Sequence, residues 1–401
     1  MPTPAIRLPS GFLALALVLI APQAEALDRT ALSTVAANVM AQAVSPEAVA
    51  DYRRKLRDYQ EARAAFEQQA AAYWSAIADK RRRRFAKWRE HVPIELDDYV
   101  LTQPPVYTGP KRPLNPVPEE EPERPPRPHK YIPVVADLLK AAADQFQFVP
   151  ERPANEMEFR RAYARYARAE GLTREQAVRV YSFETGGTGD HAVQAGIEHG
   201  GTRAISTAIG YNQLLTTNSV ELMAEQGPEL IRALAAKDVQ LSGSARRSMD
   251  YKLAVLKRMV AVARSVPDDW SAHERLADTE QGWAIHSMVL DIDVGPMLQT
   301  HKLLTSVIFA RAKGYTRPLT AAELEMMNLT GDGTGFDMVT MPQSFREQVP
   351  TSNFFQRTGY ERNPVAIRHN TVAKLFAVTD TRMDSNSNLP GAKELAAAFL
   401  N

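Results

Sequence analysis

The sequence predicts an all-α chain, and three observations predict it. Apolar residues recur at steps of three and four through most of the 401 residues, strict alternation is scarce, and helix-start signals precede the periodic runs. A long N-terminal helix and a proline-rich strap come before a body of successive helices, with at most a minor β piece near the 186–210 loop.

Composition narrows the function. The length suits two or three units with a sizeable core. A net charge of +1 argues against a nucleic-acid partner, because phosphate binding shows as a basic imbalance. The chain has no cysteine, which removes disulfide frameworks, thiolate nucleophiles, cysteine-ligated zinc and a lipid-attachment cysteine together. No metal and no cofactor are expected.

Residues 1–26 read as a signal peptide. Arg7 supplies the positive start, Gly11 to Ala21 is a short apolar run, and Ala24-Glu25-Ala26 is a cleavage site before Leu27. The run falls short of the ~20 apolar residues a membrane span needs, and no later segment is long and apolar enough, so no stable transmembrane segment is expected. The mature chain is expected to be periplasmic or secreted.

In region 27–92, Val49 to Trp88 carries neither Gly nor Pro. Val49, Tyr52, Leu56, Tyr59, Phe66, Ala70, Tyr73 and Ile77 form a near-heptad seam that Arg63 interrupts. Two readings stand: an amphipathic helix folded on the chain itself, or self-association or an envelope protein partner through residues 49–88. Between residues 51 and 90 there are 12 Lys/Arg against 6 Asp/Glu, with Arg81 to Arg84 in a row. Such a run is expected as a solvated helix face, or one leaning on anionic lipid or acidic wall polymers. Region 93–153 is a strap or linker, because its dense prolines lack the amide hydrogen a helix or central strand needs. An acidic knot lies at Glu119 to Glu123, and Pro133 to Phe146 holds a short helix.

Region 154–380 is the helical body. Asn155 with Glu158, then Thr173 with Gln176, make capping-box patterns, and Gly171 stops the first of these two helices. Further helices are expected at roughly 218–236, 247–265, 271–290, 296–313, 320–328 and 370–379. Residues 381–401 are expected as a C-terminal tail.

The second capped helix ends at Glu184. At 100° per residue, Glu184 shares a face with Ala177, Val180 and Tyr181. That face is apolar, and burial raises a carboxyl pKa, which suits a general acid holding its proton near neutral pH. Protonating a poor leaving group such as a glycosidic oxygen is work for such an acid. Thr185-Gly186-Gly187 ends the helix and lets backbone approach a bulky sugar chain. The competing reading is a helix-end carboxylate paired with Arg179.

Ser182-Phe183-Glu184-Thr185-Gly186-Gly187 resembles the catalytic E-S-G-G motif of soluble lytic transglycosylases and goose-type lysozymes. Gly210-Tyr211-Asn212-Gln213, 26 residues after Glu184, resembles their second motif, G-L-M-Q. The likeness runs in order over roughly residues 155–380 and implies a lysozyme-like helical domain. It implies Glu184 as sole acid/base, Gln213 as a substrate contact with Tyr211 and Asn212 nearby, and Gly187 and Gly210 lining the site. The third motif, A-Y-N-x-G, is altered. Asn328 and Gly331 of Glu325-Met326-Met327-Asn328-Leu329-Thr330-Gly331 are matched to its Asn and Gly, with Gly331 one place beyond that spacing, and Met327 stands where a tyrosine is normally found. Tyr360 or Tyr211 would have to substitute.

The resemblance implies cleavage of the MurNAc-GlcNAc bond of peptidoglycan glycan strands, in the lytic route without a second carboxylate and with a 1,6-anhydromuramoyl product. A hydrolytic muramidase would need a second acid, for which Asp190, Glu198 and Asp332 are available. The alternative from another class is a non-catalytic envelope scaffold that binds glycan. His191, His199, His286, His301 and His369 match no metal spacing, and Asp291 with Asp293 form an incomplete calcium series. Ser206, Thr207 and Ser219 lack a nucleophile-elbow setting. Trp270 and Trp283 are expected in the core. Phe354, Phe355 and Tyr360 belong to an aromatic loop that either stacks on sugar or simply packs.

Overall fold

The computed structural model describes residues 45–116, 131–197 and 203–400. The signal-like segment 1–26, the acidic knot Glu119–Glu123, Glu198 and His199 lie outside the described residues. These residues divide into two compact units, 132–355 with 359–400, and a smaller one built on 45–116.

The smaller unit is one long helix and the strap that follows it. Helix α1 (Pro46–Arg89) begins at Ser45, whose hydroxyl accepts from the Ala48 amide, with Pro46 in its first turn. The strap then runs back along the helix. Arg84 donates to the Asp98 carbonyl at 2.9 Å and lies 4.3 Å from the Tyr99 ring centroid. Tyr73 donates to the Thr102 carbonyl at 2.9 Å, and the rings of Phe66 and Tyr107 meet edge-on at 5.4 Å. The lengths match: extended chain from Tyr99 to Tyr107 advances about 26 Å, and α1 rises about 27 Å between Phe66 and Arg84. So the seam, which reads either as folding on the chain itself or as meeting a partner, is covered in part by the chain's own strap. Arg63 stacks on Phe66 and Tyr107, each at 5.1 Å, which is how a charged residue fits that seam. The basic run is not a uniformly solvated face, since Arg84 is buried beneath Tyr99.

The larger unit is all-α. It contains α2 (Val135–Phe146), α3 (Glu156–Ala169), α4 (Arg174–Glu184), α5 (Thr216–Asp238), α6 (Gly243–Ala263), α7 (Trp270–Ala277), α8 (Glu280–His286), α9 (Val294–Ala312), α10 (Ala321–Thr330) and α11 (Asp332–Thr340). Four short helical turns follow in the chain, then α12 (Val372–Asn386) and α13 (Pro390–Ala398). The only regular β features among the described residues are isolated bridges, two of them within 194–214. No helix among the described residues is long and apolar enough to cross a membrane.

Helix α9 is buried on nearly every side, through Val294, Leu298, His301, Leu303, Leu304 and Val307, and so is the central strut. It packs against α3, α5 and α10. The core beside it joins Leu138, Leu214, Met223, Leu256, Ile285 and Leu298. The helix predicted over 271–290 is broken at Asp278-Thr279, because the Thr279 hydroxyl caps a new helix at the Gly282 amide. Residues 381–400 are not a tail. They finish α12 and form α13, whose Ala392, Leu395 and Ala398 are buried, and α13 packs on α3 and α4.

Candidate active site

The local sequence builds α4 and aims its last residue. The Thr173 hydroxyl accepts from the Gln176 amide at 3.1 Å, and the Gln176 side chain accepts from the Thr173 amide at 3.0 Å. Ala177, Val180 and Tyr181 are fully buried, as the helical spacing requires. After Glu184 the backbone turns left-handed at Gly186 (φ 66°) and Gly187 (φ 75°), and the helix stops. Gly187 has no room for a side chain, since a Cβ would stand 2.3 Å from the Asn386 carbonyl oxygen. That tight approach seats the end of α12 behind α4, where Asn386 donates to the Ser182 carbonyl at 2.9 Å.

Glu184 is half-buried as a residue and densely surrounded at its carboxyl. Burial pushes that carboxyl up to about 7, against the opposing pull of Lys302 and Arg382 and of hydrogen bonds from Glu325 and Asn328. Asn328 Nδ2 donates to Glu184 Oε1 at 2.9 Å. Arg179, the alternative partner, bonds instead to Asp380 at 2.7 Å and to Asp384. Among the described residues Glu184 is therefore not held in an ion pair.

Two further acids share the influence of Lys302. Burial, and next the charge of Glu225, push Glu221 of α5 up to about 7. Asp332, at the start of α11, is raised by burial against a hydrogen bond from Ser306 at 2.5 Å and against Lys302. Neither Glu221 nor Lys302 was singled out from sequence. Glu325 was quoted only as part of the altered motif, yet it stands beside Glu184. Its signal is a charged residue among the apolar Leu324, Met326 and Met327 of a largely buried helix. Asp190, by contrast, accepts from the Ala192 amide at 2.8 Å as a turn device.

The Gly210-Tyr211-Asn212-Gln213 stretch is a tight loop closed by paired backbone bonds between Ile209 and Leu214, of 2.9 and 3.0 Å. Gln299 of α9 pins it from below, accepting from the Asn212 amide at 2.8 Å and donating to the Ile209 carbonyl at 3.2 Å. Gly210 (φ 83°) has to be glycine here, because a Cβ would lie 2.1 Å from Gln299 Nε2. Tyr211 and Asn212, expected near substrate, are instead fully buried. The Tyr211 ring packs edge-on against Tyr181 at 4.9 Å, Tyr163 at 5.4 Å and Phe159 at 5.2 Å, and its hydroxyl donates to Glu156. Tyr211 thus braces the turn before Glu184 and is unavailable as a groove hydroxyl. Gln213 is half-buried in a left-handed backbone (φ 44°), and its amide donates to the Gly210 and Val193 carbonyls at 2.8 and 3.2 Å.

Tyr360 is buried against Phe355 at 6.1 Å and hydrogen-bonds Thr351. The aromatic loop is packing: Phe354 and Phe355 are also buried. Met327, at the tyrosine position of the altered motif, is 1% exposed and brings no hydroxyl to the site. His191 is held by Arg152, which donates to Nε2 at 3.1 Å, and by Glu156, 2.7 Å from Nδ1. His286 lies between Ser219 and the Thr207 carbonyl, both at 2.8 Å, and burial pushes its imidazole down to about 4. Trp283 packs half-buried on the core. Asp291 and Asp293, the calcium candidates, instead hold the ammonium of Lys252, which also reaches Glu151 at 3.1 Å.

A scan against protein-family models finds no match, and searches of curated proteins and of solved structures find none either. The chemistry of the site rests on its own geometry. A carboxyl whose charged form is disfavoured by burial, with an amide donor on one oxygen, can give a proton to a bound oxygen and take one back.

Proposed function

We propose that the chain is an exported peptidoglycan-cleaving enzyme, a lytic transglycosylase with a lysozyme-like body and Glu184 as its single acid/base. The observation that carries the proposal is the Glu184 carboxyl itself, pushed up to about 7 at the end of an apolar helix and held by Asn328. The order of the motifs supports it, with Asn328 of the altered third motif donating to Glu184. In the proposed reaction Glu184 gives its proton to the glycosidic oxygen as the C1–O bond breaks, and the bonding pair stays with the departing sugar. The carboxylate then takes the proton of the muramoyl C6 hydroxyl as that oxygen closes on C1, which restores the acid.

Two competing readings each have an observation behind them. Hydrolysis is favoured by the raised carboxyls of Glu221 and Asp332, which share Lys302 with Glu184. A non-catalytic scaffold is favoured by Met327, which leaves the third motif without its hydroxyl. Incubation of the purified chain from Leu27 with peptidoglycan, followed by mass analysis of soluble muropeptides, separates all three. The lytic route gives anhydro products lighter by one water than hydrolytic ones. Binding with no release would leave the scaffold.

A further inference from the structure

Glu325 is 1% exposed, and one of its carboxyl oxygens is buried without a hydrogen-bond partner. Buried carboxyls are ordinarily paired with a cation or ringed by donors. Among the described residues neither Glu325 nor Glu184 takes part in an ion pair. The neighbours of Glu325 are Asn328 and Glu184: the Asn328 amide bonds Glu325 as well as Glu184, and the two carboxyls lie in hydrogen-bonding reach of each other. The packing of α10 on α4 makes this so, because Glu325 and Asn328 are one helical turn apart and both face Glu184. The charged groups facing the pair are Lys302 from α9 and Arg382 from α12, and Arg382 stacks on the Phe183 ring at 4.9 Å. Lys302 is shared with Glu221 and Asp332 as well.

Two carboxylates in contact in a dry setting do not both ionise. We propose that Glu325 is a positioning residue that keeps its own proton and donates a hydrogen bond to Glu184 whenever Glu184 has given its proton away. The consequence for catalysis rests on the proposed acid role of Glu184. When the glycosidic oxygen receives the Glu184 proton, the new carboxylate has two donors already in place, the Glu325 O–H and the Asn328 amide. When Glu184 recovers a proton from the C6 hydroxyl, the Glu325 proton has not moved, so no proton is gained or lost by the pair over a cycle. Glu325 never touches substrate.

The test follows the carboxyl carbons of labelled glutamates by NMR titration of the full chain, for wild type, Glu325→Gln and Glu325→Leu. In wild type, Glu325 should stay protonated through the range in which Glu184 ionises. Glu325→Leu removes a donor to a charged group and should raise the Glu184 midpoint by about one unit, whereas Glu325→Gln, which keeps a donor of the same size, should hold it within a few tenths. On glycan, Glu325→Leu should lower kcat/KM by about tenfold or more with the alkaline limb moved upward, and Glu325→Gln should recover most of the rate. Glu325 ionising before Glu184 in wild type would overturn the proposal, and that measurement stands even if Glu325→Leu does not fold. So would equal midpoints in all three proteins. If wild type cleaves no glycan, the proposed function fails while the titration still decides the pair.

Discussion

Replacing Glu184 by Gln keeps the shape of the side chain and removes a charge that the fold tolerates poorly. The carboxyl ionises at about 7 in the folded protein and near 4.3 in an unfolded chain. A folded pKa above the unfolded one means that the native state binds the extra proton between those values. Stability from this group is therefore complete below about pH 4 and is lost as pH rises through about 7. The shift corresponds to about 4 kcal/mol at 1.36 kcal/mol per unit, and the partial exposure of Glu184 trims that to about 2–3 kcal/mol. Glu184→Gln should accordingly be more stable than wild type by about 2–3 kcal/mol at pH 9, relative to any difference at pH 4. Urea unfolding at both pH values reads this directly, with unchanged m-values as the check on two-state comparison. An equal difference at the two pH values would refute the claim that burial holds the Glu184 proton.

Asn328→Ala removes the 2.9 Å donor to Glu184; glycan cleavage should fall about tenfold or more, with the alkaline limb of its pH profile moved upward. Gly210→Ala puts a Cβ against Gln299 in a left-handed backbone and should cost about 2–4 kcal/mol in urea unfolding. Lys252→Met leaves the buried Asp291 without its ammonium and Asp293 with Lys237 alone and should cost about 3–5 kcal/mol. Added calcium should leave the wild-type Tm unchanged. Tyr107→Ala strips the strap of its contacts with Phe66 and Arg63, so amide exchange between residues 99 and 110 should quicken while the larger unit is unaffected.

The helices were legible where local chemistry decides them. Thr173 with Gln176 and Thr320 with Glu323 cap as their spacing demands, and the apolar face of α4 buried its Ala177, Val180 and Tyr181 as read. Asn155 caps the Glu158 amide, although the Glu158 side chain reaches the Ala154 amide at 2.7 Å and completes the box one residue early. What escaped was settled by distant contacts. The last helix reads weakly because Pro390-Gly391 opens it, and only burial against α3 and α4 fixes it. The polar partners of the site are joined across the chain, Asn328 to Glu184 and Gln299 to Asn212, and no local pattern encodes such pairs. Tyr211 was misplaced for a related reason: a tyrosine in a glycine-turn motif looks the same whether its ring faces a groove or, as here, three buried aromatic rings.

Release of soluble muropeptides from peptidoglycan by wild type and by Glu184→Gln, side by side at pH 6 with glycan binding measured for both, tests the central claim. The account expects anhydro products from wild type, a loss of a thousandfold or so in rate for Glu184→Gln given general-acid contributions of about 10²–10⁴, and binding intact in both. Equal release by the two proteins would contradict the role of Glu184, and binding without release by either would contradict the enzyme.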